Sequence, residues 1–80
     1  MLNDYNINNQ GISIETPLII DEASDTEVYI GTSISDSSTG RPVWRIKQII
    51  KVGTVWNFGY ANGDQSFAYI WDNRYGYTYF

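Results

Sequence analysis

With no His and no Cys among its 80 residues, the sequence leaves acid–base and metal chemistry to its nine carboxylates. Five of them lie close together: Glu15, Asp21, Glu22, Asp25 and Glu27. A carboxylate pair is the minimum equipment for glycoside hydrolysis. These acids, however, fall on the ends of short strands and in turns, where carboxylates are ordinarily solvated, and a β domain this small has little volume for a substrate cleft. Asp21-Glu22-Ala23-Ser24-Asp25 offers oxygen ligands for calcium but not the spacing of the twelve-residue calcium loop. The expectation is a non-enzyme: no catalytic residue, no cofactor and no metal.

Aromatic residues are the second chemical resource, 16% of the chain. Trp56, Tyr60, Trp71, Tyr75, Tyr77 and Tyr79 could stack against sugar rings, with Asn57, Asn62, Asp72 or Asn73 as hydrogen-bonding neighbours. The same side chains suit a core and subunit contacts, because each buries a large area while keeping one polar tip wet. That second use is the preferred one, with Trp56, Phe67, Trp71 and Tyr79 as buried anchors. Trp44 beside Arg45 and Lys47 resembles the interleaving of aromatic and basic groups in single-strand nucleic-acid grooves. On a strand, though, Trp44 points away from both cations. Together with a net charge of −4, this argues against a nucleic-acid partner. The basic stripe Arg45, Lys47 and Lys51, with Arg74, is instead the candidate for polar contacts with protein.

Charge is divided along the chain. Residues 1–40 carry seven acids and no Lys or Arg, a net −7, whereas residues 41–80 carry five basic residues against Asp64 and Asp72, a net +3. Either the two halves attract one another within one domain, or the acidic half of one copy faces the basic half of a neighbour in a head-to-tail or ring contact.

The elements that must position these groups are strands. Ala, the strongest helix former, occurs three times, and β-branched and aromatic residues dominate. Ile12, Ile14, Leu18 and Ile20 share one parity, the alternation of a half-buried strand that Pro17 places at an edge. A turn over 21–25 precedes a strand at 27–31 with Val28 and Ile30 inward, then a Ser/Thr/Gly-rich loop over 32–41. Val43 to Val52 is the clearest strand: Trp44, Ile46, Ile50 and Val52 occupy one face, and Arg45, Lys47 and Lys51 the other. Gly53 turns the chain into 54–60, where Trp56, Phe58 and Tyr60 alternate with smaller residues. Asn62-Gly63 suits the positive φ angles of a type I′ turn. Phe67, Tyr69 and Trp71 then share a strand face, a turn follows at 72–76, and Tyr77 to Phe80 closes the chain as a last strand. The sum is an all-β fold, a small antiparallel sandwich or barrel of about six short strands.

Residues 1–10 are polar, Asn-rich and without a period, an extended N-terminal arm ahead of a single β domain at 11–80. An arm of this composition needs a neighbour to order it, which makes Tyr5 and Ile7 candidate interface residues. No apolar run approaches the roughly 20 residues of a membrane span, and the first residues lack the basic and apolar regions of a signal peptide. A chain of 9.2 kDa buries only about 60% of the surface its unfolded form exposes. Without crosslinks, it gains from partners.

Tyr29-Ile30-Gly31, Trp44-Arg45-Ile46-Lys47, Trp56, Asn62-Gly63-Asp64, Phe67, Trp71-Asp72-Asn73-Arg74 and the closing Tyr77-Thr78-Tyr79 together resemble a group of very small structural proteins of tailed bacteriophage virions. The resemblance covers residues 27–80. Gln48 replaces a frequent basic residue and Asn62 an acidic one, neither of which disturbs the strand pattern. The resemblance implies a non-catalytic capsid, neck or tail component, made in the host bacterial cytoplasm and located in the virion. Its partners would be other phage structural proteins, copies of itself, or both. A carbohydrate- or receptor-binding module on a fibre or capsid surface is the alternative.

Overall fold

Val43 to Val52 alternates apolar and charged side chains over a length that only an extended chain can use, and the fold is organised around it. The computed structural model describes residues 17–80. Five strands follow in order: β1 (Leu18–Ser24), β2 (Glu27–Ser33), β3 (Pro42–Val52), β4 (Val55–Tyr60) and β5 (Tyr69–Ile70). All pairings are antiparallel, in one sheet ordered β1-β2-β3-β4, with β5 also on β3. The eleven-residue β3 is lined along one side by β2. Its other side is shared: β4 covers Lys47 to Val52, and β5 covers the beginning. The chain leaves the sheet between β4 and β5 through Asn62 (φ 53°) and Gly63 (φ 68°). The all-β antiparallel expectation holds, and so does the Asn-Gly turn, although that turn starts an excursion from the sheet and not a simple hairpin.

One face of this sheet is closed by the chain's own C-terminus. Trp71–Gly76 forms a 3-10 helix, and the segment after it returns to β4 through the Ala61–Tyr79 bridge and backbone bonds between Tyr60 and Phe80. Beneath lies the core: Tyr29, Trp44, Ile46, Ala61 and Trp71, with Ile19, Val43, Tyr69, Tyr77 and Tyr79 packed against it. The indole of Trp44 is fully buried, and its N–H donates to the Ser38 carbonyl (2.9 Å), so the 34–41 loop satisfies the polar atom that burial would otherwise orphan. Gly31 sits directly under Trp71. A Cβ there would lie 2.6 Å from the indole ring.

Several expectations need correction. Val28 and Ile30 do not face the core; Tyr29, Gly31 and Ser33 do, because the glycine opens the space that Trp71 fills. Leu18 and Ile20 are exposed while Ile19 packs inward. β1 follows β2 in register, Ile19 opposite Gly31, and so inherits its parity. β1 extends through the expected turn to Ser24. The segment at 72–76 is helical from Trp71 onward, and the expected strand through Phe67 to Trp71 shrinks to two residues. The last strand is reduced to the single bridge at Tyr79, and the described residues form five strands, close to the expected number of about six. Ile12, Ile14 and the whole N-terminal arm, with Tyr5 and Ile7, lie outside the described residues.

Candidate functional site

Residues directly opposite in an antiparallel pair point to the same side, and alternate residues to opposite sides. The registers therefore define what the second face of the sheet carries. Its rows run Leu18–Thr32–Arg45, Ile20–Ile30–Lys47–Tyr60 and Glu22–Val28–Ile49–Phe58, then Lys51–Trp56. Among the described residues nothing packs over this face as the C-terminal segment packs over the other. Leu18, Ile20, Trp56 and Phe58 are exposed, Phe58 at 69%. Two shallow hollows open on it, one bordered by Glu22, Val28 and Trp56, the other by Ile30, Arg45, Lys47 and Tyr60.

Three of the five basic side chains sit here, each over an aromatic ring. The Arg45 guanidinium carbon is 4.6 Å from the centroid of Phe67. Lys47 Nζ lies 5.3 Å from Phe58 and 5.9 Å from Tyr60, and Lys51 Nζ is 5.6 Å from Trp56. Such contacts contribute about 0.5–1 kcal/mol each at exposed sites. Among the described residues, none of the three is paired with a carboxylate; the two ion pairs are Arg41–Asp36 (2.7 Å) and Arg74–Asp21 (2.9 Å). Both join the acidic half of the chain to the basic half, so among the described residues attraction within the domain accounts for Arg41 and Arg74 and not for Arg45, Lys47 and Lys51.

Arg74 is thus separated from the stripe with which it was grouped. It lies on the closed side, Nε donating to Asp21, with its guanidinium carbon 4.5 Å and 4.6 Å from the Trp71 and Tyr75 ring centroids. Hydrogen bonds from Tyr75 and Arg74 hold the Asp21 carboxyl below its ordinary value. Tyr79 donates to the Arg74 carbonyl (2.7 Å), and burial pushes its phenol well above the usual tyrosine range. Tyr29 packs edge-on against both Tyr75 and Tyr79 and bonds Glu27 and Gln48. This network latches the C-terminal segment to β1 and β2.

Of the five acids considered for chemistry, Glu15 lies outside the described residues, and the same alternation separates the others. Asp21 faces the closed side and Glu22 the open one, and Asp25 sits in the connecting turn. Among the described residues, no three acidic side chains converge to hold a metal. The six-residue aromatic platform is split: Trp56 and Tyr60 are on the open face, and Trp71, Tyr75, Tyr77 and Tyr79 belong to the segment covering the other. Of the expected anchors, Trp71 is buried and Tyr79 half-buried, Phe67 is half-buried beneath Arg45, and Trp56 is exposed at 45%. On β4 Gly59 is the buried position, its α-carbon against the Phe80 backbone, which turns Trp56, Phe58 and Tyr60 to the other side.

Sequence reading missed Phe58, Ile20, Ile30 and Glu22 as members of an exposed surface. The available signal was the parity of Gly31, Gly59 and Ala61, small residues that leave room for a covering layer. Comparison with known proteins returns no match to a family model, a curated protein or a solved structure.

Proposed function

We propose that this protein is a non-enzymatic assembly module of a tailed-bacteriophage virion, a small β domain that docks on other particle proteins or on copies of itself through the open face of its sheet. The observation that carries the docking role is that face. It presents exposed Leu18, Ile20, Trp56 and Phe58 beside three cations without carboxylate partners among the described residues. Exposed apolar surface rimmed by polar groups is characteristic of an interaction site, and Trp and Arg are favoured interface anchors. The virion setting rests on the resemblance of residues 27–80 to small phage structural proteins. The test is mass spectrometry of purified particles of the encoding phage. Presence at a fixed copy number supports the reading, and absence from particles overturns it.

The exposed row Trp56, Phe58 and Tyr60 favours one second reading, carbohydrate binding by ring stacking. Glycan-array binding that is lost in Trp56→Ala and Phe58→Ala would select it over assembly.

A further inference from the structure

The open face is complementary to itself. Its acid, Glu22, lies on β1 at one side, and its cations lie on β3 near the other, flanked by the aromatic row of β4. Between them run the half-buried Val28 and Ile30 of β2, and half-buried Ile49 separates Lys47 from Lys51 along β3. Consider a second copy turned about a two-fold axis parallel to the strands, midway between β2 and β3 and above the face. β1 then lies over the other copy's β4, and β2 over its β3. Register is preserved along the strands, so Glu22 comes down at the level of Phe58, between the levels of Lys47 and Lys51. Val28 and Ile49 exchange places across the axis. Twice, by one operation, Glu22 comes within side-chain reach of Lys47 and Lys51 from above Phe58, Val28 meets Ile49, and the Lys47 stem lies over Ile30. An acid on the first strand and cations on the third, with Val28 and Ile49 beside the axis, satisfy the demand of an isologous contact, which must be complementary to its own copy.

We infer that the occupant of the open face is a second copy of this chain, packed face to face so that two single sheets form one sandwich across the dimer, with Glu22 of each copy against Lys47 and Lys51 of the other. This rests on the assembly reading above and names its partner. Aligned packing of two twisted sheets about 10 Å apart is an ordinary solution for apolar sheet faces. Strands about 4.8 Å apart, rising roughly 3.3 Å per residue, give a four-stranded face about 19 Å by 20 Å. That is about 380 Å² of sheet area on each copy, below the roughly 800 Å² per partner of a standard specific interface, so the association is expected to be weak.

The experiment is sedimentation velocity of the full chain from 1 to 500 μM at 50 mM and 500 mM NaCl, with circular dichroism of each variant to verify folding. Wild type is expected to dimerise in this range, more tightly at low salt. Glu22→Lys should weaken the dimer at least tenfold, as should Lys47→Glu with Lys51→Glu. The three changes combined restore the pairing and should return the constant to within about threefold of wild type. A benzoylphenylalanine at Ile30 gives a second readout that does not need a charge variant to fold, and its cross-link should map to the other copy's β3. A chain that stays monomeric at 500 μM, or a dimer indifferent to these charges, overturns the inference. So does a cross-link in particles that reaches only a different protein, and that result leaves the virion reading intact. Absence from particles with the dimer intact in solution overturns the virion reading alone.

Discussion

At the scale of single residues, Gly31 and Asp21 decide how the C-terminal segment sits. The indole of Trp71 occupies the space above Gly31, 2.6 and 2.7 Å from where a Cβ would be, and Trp44 closes the third side at 3.2 Å. Neither ring is the far end of a flexible chain, so Gly31→Ala should cost about 1–3 kcal/mol by overpacking. Gly40→Ala, whose Cβ would meet only the Asp72 carboxylate at 3.7 Å, should stay within about 0.5 kcal/mol. Urea denaturation of the two variants checks the contrast. Asp21 adds a pH dependence. Its carboxyl is held below the ordinary 3.8 by hydrogen bonds from Tyr75 and Arg74. A group whose folded value is lowered stabilises the fold when ionised, fully at pH well above the unfolded value and progressively less as pH falls through the folded one. Asp21→Asn should therefore lower the urea midpoint at pH 7, and the gap to wild type should close as pH falls below about 4. A gap that persists unchanged at pH 2.5 would show that the carboxylate charge is not what binds the latch.

At the scale of elements, what was legible in the sequence is what one strand determines about itself. β3 reads directly: Trp44 and Ile46 are buried and Arg45 and Lys47 are on the other side, because alternation is a property of the strand alone. Which face another element covers is a tertiary fact. β1 and β2 are apolar on both parities, so periodicity does not say which face of the sheet the C-terminal segment covers; it points Val28 and Ile30 inward on β2, where Tyr29 and Gly31 are the inward positions. The 3-10 turn was hidden for a related reason: Asp72-Asn73-Arg74 are turn formers in isolation, and their helical form depends on Trp71 anchoring in the core and Arg74 reaching Asp21, 53 residues away. The charged site was half legible. The stripe on β3 was visible, but Arg74 joined it only through sequence counting. Two aromatics now separate the faces experimentally. Trp71→Ala should cost about 3–5 kcal/mol, as for a large buried ring, whereas Phe58→Ser, exposed in the single chain, should change the stability of the dilute protein by under about 1 kcal/mol. Equal losses in urea melts at 1 μM would mean that Phe58 is already covered within one chain.

At the scale of the whole molecule, a sheet that has one covered face among the described residues sets both stability and behaviour. Only five hydrophobic residues are buried among the described ones, because a short segment stands where a sandwich would place a whole second sheet. Stability of a domain this small is of the order of 5 kcal/mol at about 0.05–0.15 kcal/mol per residue. Covering the second face adds to that by mass action, since a partner that binds only the folded chain stabilises it by RT ln(1 + [L]/Kd). At tenfold above Kd this is about 1.4 kcal/mol, which in a domain of 60–100 residues corresponds to a rise in Tm of roughly 5–10 °C. Calorimetry between 5 and 500 μM should therefore show Tm climbing with concentration for the wild-type chain. In Ile20→Ser combined with Phe58→Ser, which strips two exposed apolar side chains from the face and leaves the core beneath Trp71 untouched, the climb should vanish while Tm at 5 μM stays near wild type. A Tm that rises equally in both proteins would place the stabilising contact elsewhere on the molecule, because no other surface loses anything in that variant.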